Sequence, residues 1–349
     1  MKYKLSNRLA AKLAHLSPDQ VEQLVARAKA MKRRGSSPDD SLDTWIERVL
    51  LKDKRSLARS DKRLSGLVIA VTSKSAVAET SEGTMLVRLL GQRVVVGDEV
   101  TIAVASETEA SVLEIAPRRT KLSRPDVGRS DREQVIVANV DVVVIVVSVV
   151  APPLHPRLID RYLVAIQQGL ADALIYVNKI DLLEDESELS VLDPYRSIGV
   201  PVIHGSTVTP EGGVELRAAL VGKTCAFVGH SGVGKSSIVN ALKPDADLKT
   251  GLVMKGYGRG MHTTTASSLH RLADGTVLID TPGIRSFGLR ALEGEQIASY
   301  FNEFSEFKCR FRDCTHTHEP GCGVLVAVES GAIEQVRYDA YCRLREELE

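Results

Sequence analysis

A glycine-rich run past the middle of the chain has the residue types and spacing that bind nucleotide phosphates. Residues 229–236 fit the phosphate-loop pattern, in which two glycines separated by four residues are followed by Lys and Ser. The glycines let backbone N–H groups turn inward around phosphate oxygens, and the N-terminus of a following helix adds a favourable dipole. We expect Lys235 to contact the outer phosphates and Ser236 to ligate magnesium. The expected phosphate-binding residues are Gly229, His230, Ser231, Gly232, Val233, Gly234, Lys235, Ser236 and Ser237.

A second motif, about 45 residues further along the chain, could serve the same site. The apolar run Val277–Ile279 leads into Asp280–Gly283, which reads Asp-Thr-Pro-Gly. An Asp at the end of a strand beside a phosphate site can hold magnesium through water, and the backbone N–H of Gly283 can reach a terminal phosphate. An isolated Asp before Pro-Gly is often only a turn. The strand before it and the spacing from the phosphate loop favour the magnesium role for Asp280.

A third motif predicts which base is bound. Asn178–Asp181 reads Asn-Lys-Ile-Asp and follows an apolar run at residues 174–177. The carboxylate of Asp181 can accept two hydrogen bonds from the ring N–H and the exocyclic amine of guanine, whereas adenine lacks that donor pair. The stem of Lys179 could cover the base, and Ser206 could support it from the end of another strand. Alone, four such residues are more often a surface turn; with the phosphate loop they predict a guanine site.

The order of these motifs is unusual. In ordinary GTPases the guanine motif follows the phosphate loop, whereas here it precedes the loop by about fifty residues. A binding site depends on spatial geometry and not on chain order, so a circularly permuted domain can still assemble it.

A glycine-rich stretch at residues 251–265 lies between the phosphate loop and Asp280. We expect Thr264 to complete the magnesium shell when the last phosphate is present, which would make this stretch a switch segment; a plain flexible loop is the alternative. No Gln follows Gly283 until Gln296, so His262 is the candidate for orienting the attacking water, unless it is merely a solvent-exposed loop histidine. The expected catalytic residues are His262, Lys235 and Asp280.

A cluster of cysteines and histidine near the C-terminus predicts a metal site. Three thiols and one imidazole fall within fourteen residues: Cys309, Cys314, His316 and Cys322. Four such ligands with no open position are typical of structural zinc, and a redox role is the weaker alternative. His318 is a competing imidazole. Cys225 and Cys342 are expected to be packing residues.

The whole chain has ordinary globular composition. Its 349 residues predict two or three domains, and 44% hydrophobic and 26% charged residues exclude an extended disordered chain, a collagen-like repeat or a coiled-coil rod. The net charge is zero, but residues 1–63 hold 16 Lys and Arg against 8 Asp and Glu. A basic N-terminal segment suggests a polyanionic partner, although helix faces exposed to solvent also explain an excess of Lys and Arg. The apolar run Val142–Val150 is too short to cross a bilayer, and no signal peptide is recognisable, so we expect a cytoplasmic protein.

Local patterns divide the chain into elements. A helix is predicted to start at Ser17, bury a stripe that includes Val21 and Leu24, and end at Gly35; a second helix is predicted over residues 42–52. Residues 64–116 contain five short β-rich runs separated by glycines, which predict a small barrel of the OB-fold type, with a β-sandwich fragment as the alternative.

The second half of the chain shows a different pattern. From about residue 135, apolar runs alternate with helical patterns, and this alternation predicts a parallel α/β sheet. Ser330 is predicted to cap a last helix. The residues assigned to the inner face of that helix are Ile333, Val336, Ala340, Tyr341 and Leu344.

Taken together, residues 63–345 resemble the circularly permuted GTPases of the RsgA family, also called YjeQ or EngC. The resemblance rests on the permuted order, on Gly-His-Ser-Gly-Val-Gly-Lys-Ser-Ser at 229–237, on His-Thr-Thr-Thr at 262–265, on Asp-Thr-Pro-Gly at 280–283 and on the Cys/His cluster. It implies a multidomain chain: an OB-fold barrel at residues 63–118, a circularly permuted α/β P-loop GTPase domain at 119–300 and a zinc-binding helical domain at 301–349. The residues before the barrel, 1–62, depart from the family pattern and are expected from the sequence to form a helical basic extension.

The resemblance also implies an activity. It implies hydrolysis of GTP to GDP and phosphate, stimulated by the small ribosomal subunit, late in the maturation of that subunit. The implied cofactors are magnesium with GTP and one structural zinc per chain, and the expected partners are GTP, GDP and the small subunit with its rRNA, for a monomer without membrane contact. The basic residues that could meet rRNA phosphates are Lys32, Arg33, Arg34, Lys52, Lys54, Arg55, Arg59, Arg118, Arg119, Lys121 and Arg124. The alternative is a regulatory G-protein switch that binds a protein partner and never touches the ribosome.

Overall fold

The computed structural model describes residues 6, 9, 13, 18–34, 41–49, 62–72, 75–104, 109–126, 129–209, 213–243, 267–280 and 294–348. These residues form two compact units: the first holds those up to Arg118 together with Ser267 and Ser268, and the second holds those from Arg119 to Lys243 and from Leu269 onward. Across the described ranges, no helix combines the length and apolar character that a membrane span requires.

The first unit begins with a small helical cluster. Helix α1 spans Pro18–Arg34 and helix α2 spans residues 42–49. The predicted apolar stripe of α1 is buried, and it packs in one cluster with Trp45 and Ile46 of α2. Ser41 caps α2, since its Oγ accepts a hydrogen bond from the backbone N–H of Thr44 at 3.2 Å. The predicted end of α2 and the linker after it lie outside the described residues.

A closed five-stranded barrel makes up the rest of the first unit. Strand β1 pairs antiparallel with both β2 and β4, β2 pairs with β3, β3 runs parallel to β5, and β5 returns to β4. The ring is therefore closed, which confirms the predicted barrel and excludes the sandwich fragment. Its core is aliphatic, with Val68, Val87 and Ile102 fully buried. The strands are β1 (Arg63–Val71), β2 (Ser75–Thr80), β3 (Gly83–Arg88), β4 (Glu99–Val104) and β5 (Glu109–Ile115).

The second unit opens with an antiparallel hairpin and continues with a mostly parallel sheet. The hairpin, β6 (Lys121–Asp126) and β7 (Arg129–Ala138), was not predicted from the sequence. The sheet follows the strand order β10-β9-β8-β11-β13-β12, and the pairs from β10 to β13 are parallel, as the sequence predicted. Its strands are β8 (Val142–Val147), β9 (Asp172–Val177), β10 (Val202–His204), β11 (Thr224–Val228), β12 (Ser267–Arg271) and β13 (Val277–Asp280).

Helices connect these strands and cover the sheet. All six residues of β8 are buried at the centre of the sheet, as a doubly covered parallel strand requires. The α-helices are α3 (Pro156–Gln168), α4 (Asp193–Ser197), α5 (Val214–Leu220) and α6 (Lys235–Leu242). Short 3-10 helices occur at Ile180–Leu182, Glu186–Leu192, Gly294–Tyr300 and Asn302–Glu306.

The C-terminal helices correct one prediction. Ser330 does not cap the last helix; it ends helix α7 (Gly323–Glu329), and its backbone N–H donates to the carbonyl of Val326. The chain then turns at Gly331, whose φ of +77° favours glycine, and helix α8 (Gln335–Glu346) begins later than predicted. Because α8 starts there, Val336 is 44% exposed and does not belong to the inner face. The other four predicted inner-face residues are buried.

Candidate functional site

The predicted phosphate loop lies between the end of β11 and the start of α6. Gly229, Gly232 and Gly234 have φ values of +141°, +87° and +93°, in the region that favours glycine. A Cβ atom on Gly229 would lie 2.2 Å from the carbonyl oxygen of Val146, and one on Gly234 would lie 2.3 Å from Nδ2 of Asn178. The loop therefore needs glycine at these two positions for backbone conformation and for space.

The side chains of the phosphate loop differ in their contacts and in their exposure. Nζ of Lys235 donates to the carbonyl oxygens of Gly229 and His230 at 2.7 and 2.6 Å. Val233 is buried beneath the loop, whereas Ser236 and Ser237 are exposed in the first turn of α6. The lysine ammonium and the helix start thus lie where the sequence predicts a bound phosphate.

The predicted guanine motif contacts the phosphate loop directly. Asn178, at the end of β9, is 1% exposed, and its Nδ2 donates to the carbonyl of Val233 at 2.8 Å. Its Oδ1 is buried and has no hydrogen-bond partner within the part of the chain that the structure describes. Lys179 has a left-handed backbone, and its Nζ donates to the carbonyls of Gly232 and Ala151 at 2.8 and 2.6 Å. The guanine motif and the phosphate loop, about fifty residues apart in sequence, are therefore joined by direct hydrogen bonds.

Asp181 and Ser206, the two residues expected to bind and support the base, are in contact. The hydroxyl of Ser206 donates to a carboxylate oxygen of Asp181. Ser206 is 2% exposed, while Asp181 is exposed at the edge of the sheet. The buried hydroxyl fixes one oxygen of the carboxylate and leaves the other face of the group open to a ligand.

Asp280 ends β13, which runs parallel to β11 with Ile279 opposite Ala226. Because the carboxyl ends of parallel strands meet at one edge, Asp280 and the phosphate loop share that edge of the sheet. Burial lowers the pKa of the nearby Lys243, and the charge of Asp280 opposes that effect. The other predicted switch residues, His262, Thr264 and Gly283, lie outside the described residues.

The Cys/His cluster brings together the four predicted zinc ligands. The ligand atoms of Cys309, Cys314, His316 and Cys322 all lie within 4.8 Å of one another. Sγ of Cys309 is 3.8 Å from Sγ of Cys322, and Nδ1 of His316 is 3.4 Å from each of these sulfurs. Around a tetrahedral zinc, neighbouring sulfurs lie about 3.8 Å apart and sulfur and nitrogen about 3.5 Å apart. The donor set therefore fits zinc in type and in spacing. His318 is exposed and belongs to no metal-binding group among the described residues.

One residue that the sequence did not single out shapes this cluster. The carboxylate of Glu319 accepts hydrogen bonds from the backbone N–H groups of Thr315 and Thr317 at 2.7 and 3.1 Å. Although partial burial acts in the opposite direction, the hydrogen bonds from Thr315 and from the backbone around His318 hold the pKa of Glu319 well below its usual range. An ionised Glu319 therefore fixes the backbone of the ligand loop.

Helix α8 holds the same loop from the other side. The hydroxyls of Tyr338 and Tyr341 donate to the carbonyls of His316 and Thr315 at 2.8 and 2.5 Å. The ring of Tyr341 packs edge-on against Phe301 and Phe304. The ligand loop is thus held by hydrogen bonds to a helix that is itself packed on an aromatic cluster.

The basic residues predicted to follow the barrel have partners within the chain. Arg118 donates from Nε to the fully buried carboxylate of Asp98 at 2.7 Å, so it stabilises the barrel. Lys121 lies 2.8 Å from Glu133. The same holds for Arg119 and Arg124, which contact Asp141 and Gln134. These contacts make the four residues weaker candidates for binding phosphates.

Comparison with known proteins agrees with this geometry. The RsgA GTPase family model matches residues 115–290. A relative from Gemmatimonas aurantiaca, named small ribosomal subunit biogenesis GTPase RsgA, is 42% identical over an alignment of 260 residues that covers 73% of this chain and 85% of the relative. A relative of the same name from Chlorobaculum tepidum is 40% identical over an alignment of 305 residues that covers 82% of this chain and 98% of the relative.

Solved structures show the same fold. The crystal structure of YjeQ from Thermotoga maritima is similar with a TM-score of 0.67 and 31% identity, over 82% of this chain and 99% of that one. The structure of YloQ, described as a circularly permuted GTPase, is similar with a TM-score of 0.65 and 28% identity, over 83% of this chain and 96% of that one. The chain therefore belongs to the RsgA GTPase family and is a GTP hydrolase with a circularly permuted GTPase domain.

Proposed function

We propose that this GTPase acts late in the assembly of the small ribosomal subunit and that the ribosomal particle stimulates its GTP hydrolysis. The observation that carries the proposal is the name shared by relatives that align over most of their length, small ribosomal subunit biogenesis GTPase RsgA. The rival role, a switch that binds only a protein partner, has no support from these relatives. A cytoplasmic monomer that binds rRNA and no membrane is part of the proposal.

The roles proposed for nucleotide binding follow from the contacts at the sheet edge. Asp181, steadied by Ser206, accepts the guanine N–H groups, and Asn178 and Lys179 hold the guanine motif on the phosphate loop. When GTP enters, the ammonium of Lys235 exchanges the loop carbonyls for phosphate oxygens, which are stronger, charged acceptors. The other residues proposed to line the nucleotide are His230, Ser231, Ser237 and Gly283.

Hydrolysis requires stabilised phosphate charge and a positioned water. Magnesium bound with GTP would neutralise charge on the outer phosphates, and Ser236, Thr264 and Asp280 are the residues proposed to hold it. Lys235 adds positive charge on the same side. We assign the orientation of the attacking water to His262, because an imidazole can accept a hydrogen bond from water near neutral pH.

The Cys/His cluster is proposed to hold one structural zinc per chain. Four protein ligands leave no open coordination position, so the ion would stabilise the fold of the ligand loop and take no part in hydrolysis. The proposed domains are residues 1–62, 63–118, 119–300 and 301–349. The basic residues of the N-terminal extension are also proposed to meet rRNA phosphates. The four after the barrel are weaker candidates, since they have partners within the chain.

Ribosome co-sedimentation tests the proposed function. The protein is centrifuged with purified small subunits in the presence of a non-hydrolysable GTP analogue or GDP, and large subunits serve as the control particle. We expect pelleting with small subunits that is stronger with the analogue, and GTP turnover that rises when small subunits are added. Equal pelleting with both particles, or turnover unchanged by small subunits, would contradict the proposal.

A further inference from the structure

Helix α3 contacts the phosphate loop on one side. Tyr162 is 4% exposed, and its hydroxyl oxygen accepts a hydrogen bond from the backbone N–H of Gly229, the first glycine of the loop. Burial raises the pKa of Tyr162, so the hydroxyl stays protonated at neutral pH. The start of the loop is therefore fixed to α3 as well as to β8.

The opposite side of α3 holds a buried ion cluster. Asp160 precedes Tyr162 by two residues, so the two side chains point roughly 200° apart around the helix. Oδ1 of Asp160 accepts a hydrogen bond from Arg337 of α8 at 2.8 Å, and Nε of Arg337 donates to Glu303 at 2.9 Å. The side chains of Arg337 and Asp160 are only 5% and 4% exposed. Tyr195 adds a hydrogen bond to Asp160 at 3.1 Å.

The guanidinium of Arg337 is enclosed by aromatic rings as well as by carboxylates. It lies 4.7 Å from the centroid of Phe301 and 5.7 Å from that of Tyr195. Two carboxylates and two aromatic rings surround the planar guanidinium and fix its position. The ammonium of a lysine could not make the same set of contacts. Beside the guanidinium, a cavity of about 570 Å³ is bounded by residues that include Gln167 and Lys223. The ion cluster is thus a buried, geometrically specific contact between α3 and α8.

From Arg337 the contacts continue to the Cys/His loop. The next residue, Tyr338, donates to the carbonyl of His316, and Tyr341 donates to Thr315 one turn later. A continuous series of buried and half-buried groups therefore runs from Gly229 through α3 and Arg337 to the ligand loop. An exposed ion pair, Arg161 with Glu347, joins the same two helices without entering this series.

We propose that Arg337 is a positioning residue for the phosphate loop: by holding α3 through Asp160, it keeps Tyr162 against Gly229 and couples nucleotide binding to the Cys/His loop. The proposal rests on the assignment of residues 229–236 as the nucleotide site. Because coupling is reciprocal, nucleotide binding must also stabilise the ligand loop by the same free energy.

The test compares variants at both ends of the series in full-length, zinc-containing protein. Tyr162→Phe removes only the hydroxyl at the phosphate loop. Arg337→Lys keeps the positive charge but removes the planar guanidinium that donates to two carboxylates. The double variant Asp160→Asn with Arg337→Gln removes the charges of Asp160 and Arg337 together. Arg161→Met is the matched control, since it breaks an exposed ion pair between the same helices. Thermal unfolding and zinc content confirm that each variant is folded.

Two measurements decide the outcome: GDP affinity by calorimetry, and hydrogen exchange of residues 314–318 with and without GDP. In wild type and Arg161→Met we expect GDP to slow that exchange about tenfold, the factor that reciprocity requires. In Tyr162→Phe, Arg337→Lys and the double variant we expect GDP affinity to fall about tenfold. Saturating GDP should no longer slow the hydrogen exchange of residues 314–318 in these variants.

Arg337→Lys with wild-type affinity and wild-type slowing would overturn the proposal, even if the double variant failed to fold. Equal losses in Arg161→Met would also overturn it, because a general loosening of the two helices would then suffice. Wild-type protein that binds no GDP would instead refute the assignment of the nucleotide site.

Discussion

Two glycines of the phosphate loop offer a matched pair of substitutions. Gly232 and Gly234 have nearly the same φ, +87° and +93°, so alanine brings a similar backbone cost at either position. The space around them differs. Among the described residues, a Cβ on Gly232 would meet only Cδ of Pro152 at 3.8 Å, an ordinary contact, whereas one on Gly234 would lie 2.3 Å from Nδ2 of Asn178. Gly234→Ala must therefore displace Asn178, and Gly232→Ala need not.

The difference in unfolding free energy can be worked out from these contacts. Alanine in the left-handed region costs about 1–2 kcal/mol, and this applies to both variants. Displacing Asn178 breaks its 2.8 Å hydrogen bond to Val233. The buried groups left unpaired add about 1–3 kcal/mol in Gly234→Ala alone. We therefore expect Gly232→Ala to destabilise the protein by about 1–2 kcal/mol and Gly234→Ala by about 2–5 kcal/mol.

The assay is urea denaturation of nucleotide-free protein, in which no phosphate can meet the added methyl group. Far-UV circular dichroism is the suitable probe, because the single tryptophan, Trp45, lies in the first unit and does not report on this loop. GDP affinity should fall in the same order, with Gly234→Ala about tenfold weaker than Gly232→Ala, as a gap of about 1.4 kcal/mol implies. Equal destabilisation by the two variants would refute the role given to Asn178.

Three further predictions concern the base, the metal and the chemistry. Asp181→Asn should weaken GTP binding and favour xanthosine triphosphate, whose ring presents the opposite hydrogen-bond sense; unchanged GTP affinity in calorimetry would contradict the guanine assignment. Cys314→Ser should lower zinc content from one per chain and reduce thermal stability; elemental analysis that finds no zinc in wild-type protein would count against the site. His262→Ala should bind GTP normally but lose most of its ribosome-stimulated turnover, whereas Lys235→Ala should lose affinity and turnover; a wild-type stimulated rate in His262→Ala would mean that another group orients the water.

Much of the fold could be predicted because its signals are local. The barrel strands are short runs of β-forming residues between glycines, and β8 is a short run of Val and Ile typical of a buried parallel strand. The hairpin β6–β7 was missed because polar pairs such as Ser123 with Glu133 join its strands, so it lacks a clear apolar alternation. Ser330 was assigned to the wrong helix because the residue types that begin a helix also occur where another ends.

The residues of the candidate site also fall into two groups: those that the sequence predicts and those that it does not. The phosphate loop, the guanine motif and the Cys/His cluster have fixed spacings, so their residues could be named from the sequence. Glu319 was overlooked, although it lies three residues before Cys322, because its role depends on the path of the ligand loop. The contact of Arg337 with Asp160 spans 177 residues, and no spacing rule connects such positions.

The permuted strand order has a consequence for synthesis of the chain. Strand β8 lies between β9, which follows it closely, and β11, which begins roughly 80 residues later. A chain made from its N-terminus at about 5–20 residues per second would wait about 4–16 s between completing β8 and supplying β11. During that time one edge of a six-residue Val and Ile strand has no partner, and an exposed edge of this kind can pair with the same segment of another nascent chain. A non-permuted relative, in which the phosphate-loop strand is made first, would not face this delay.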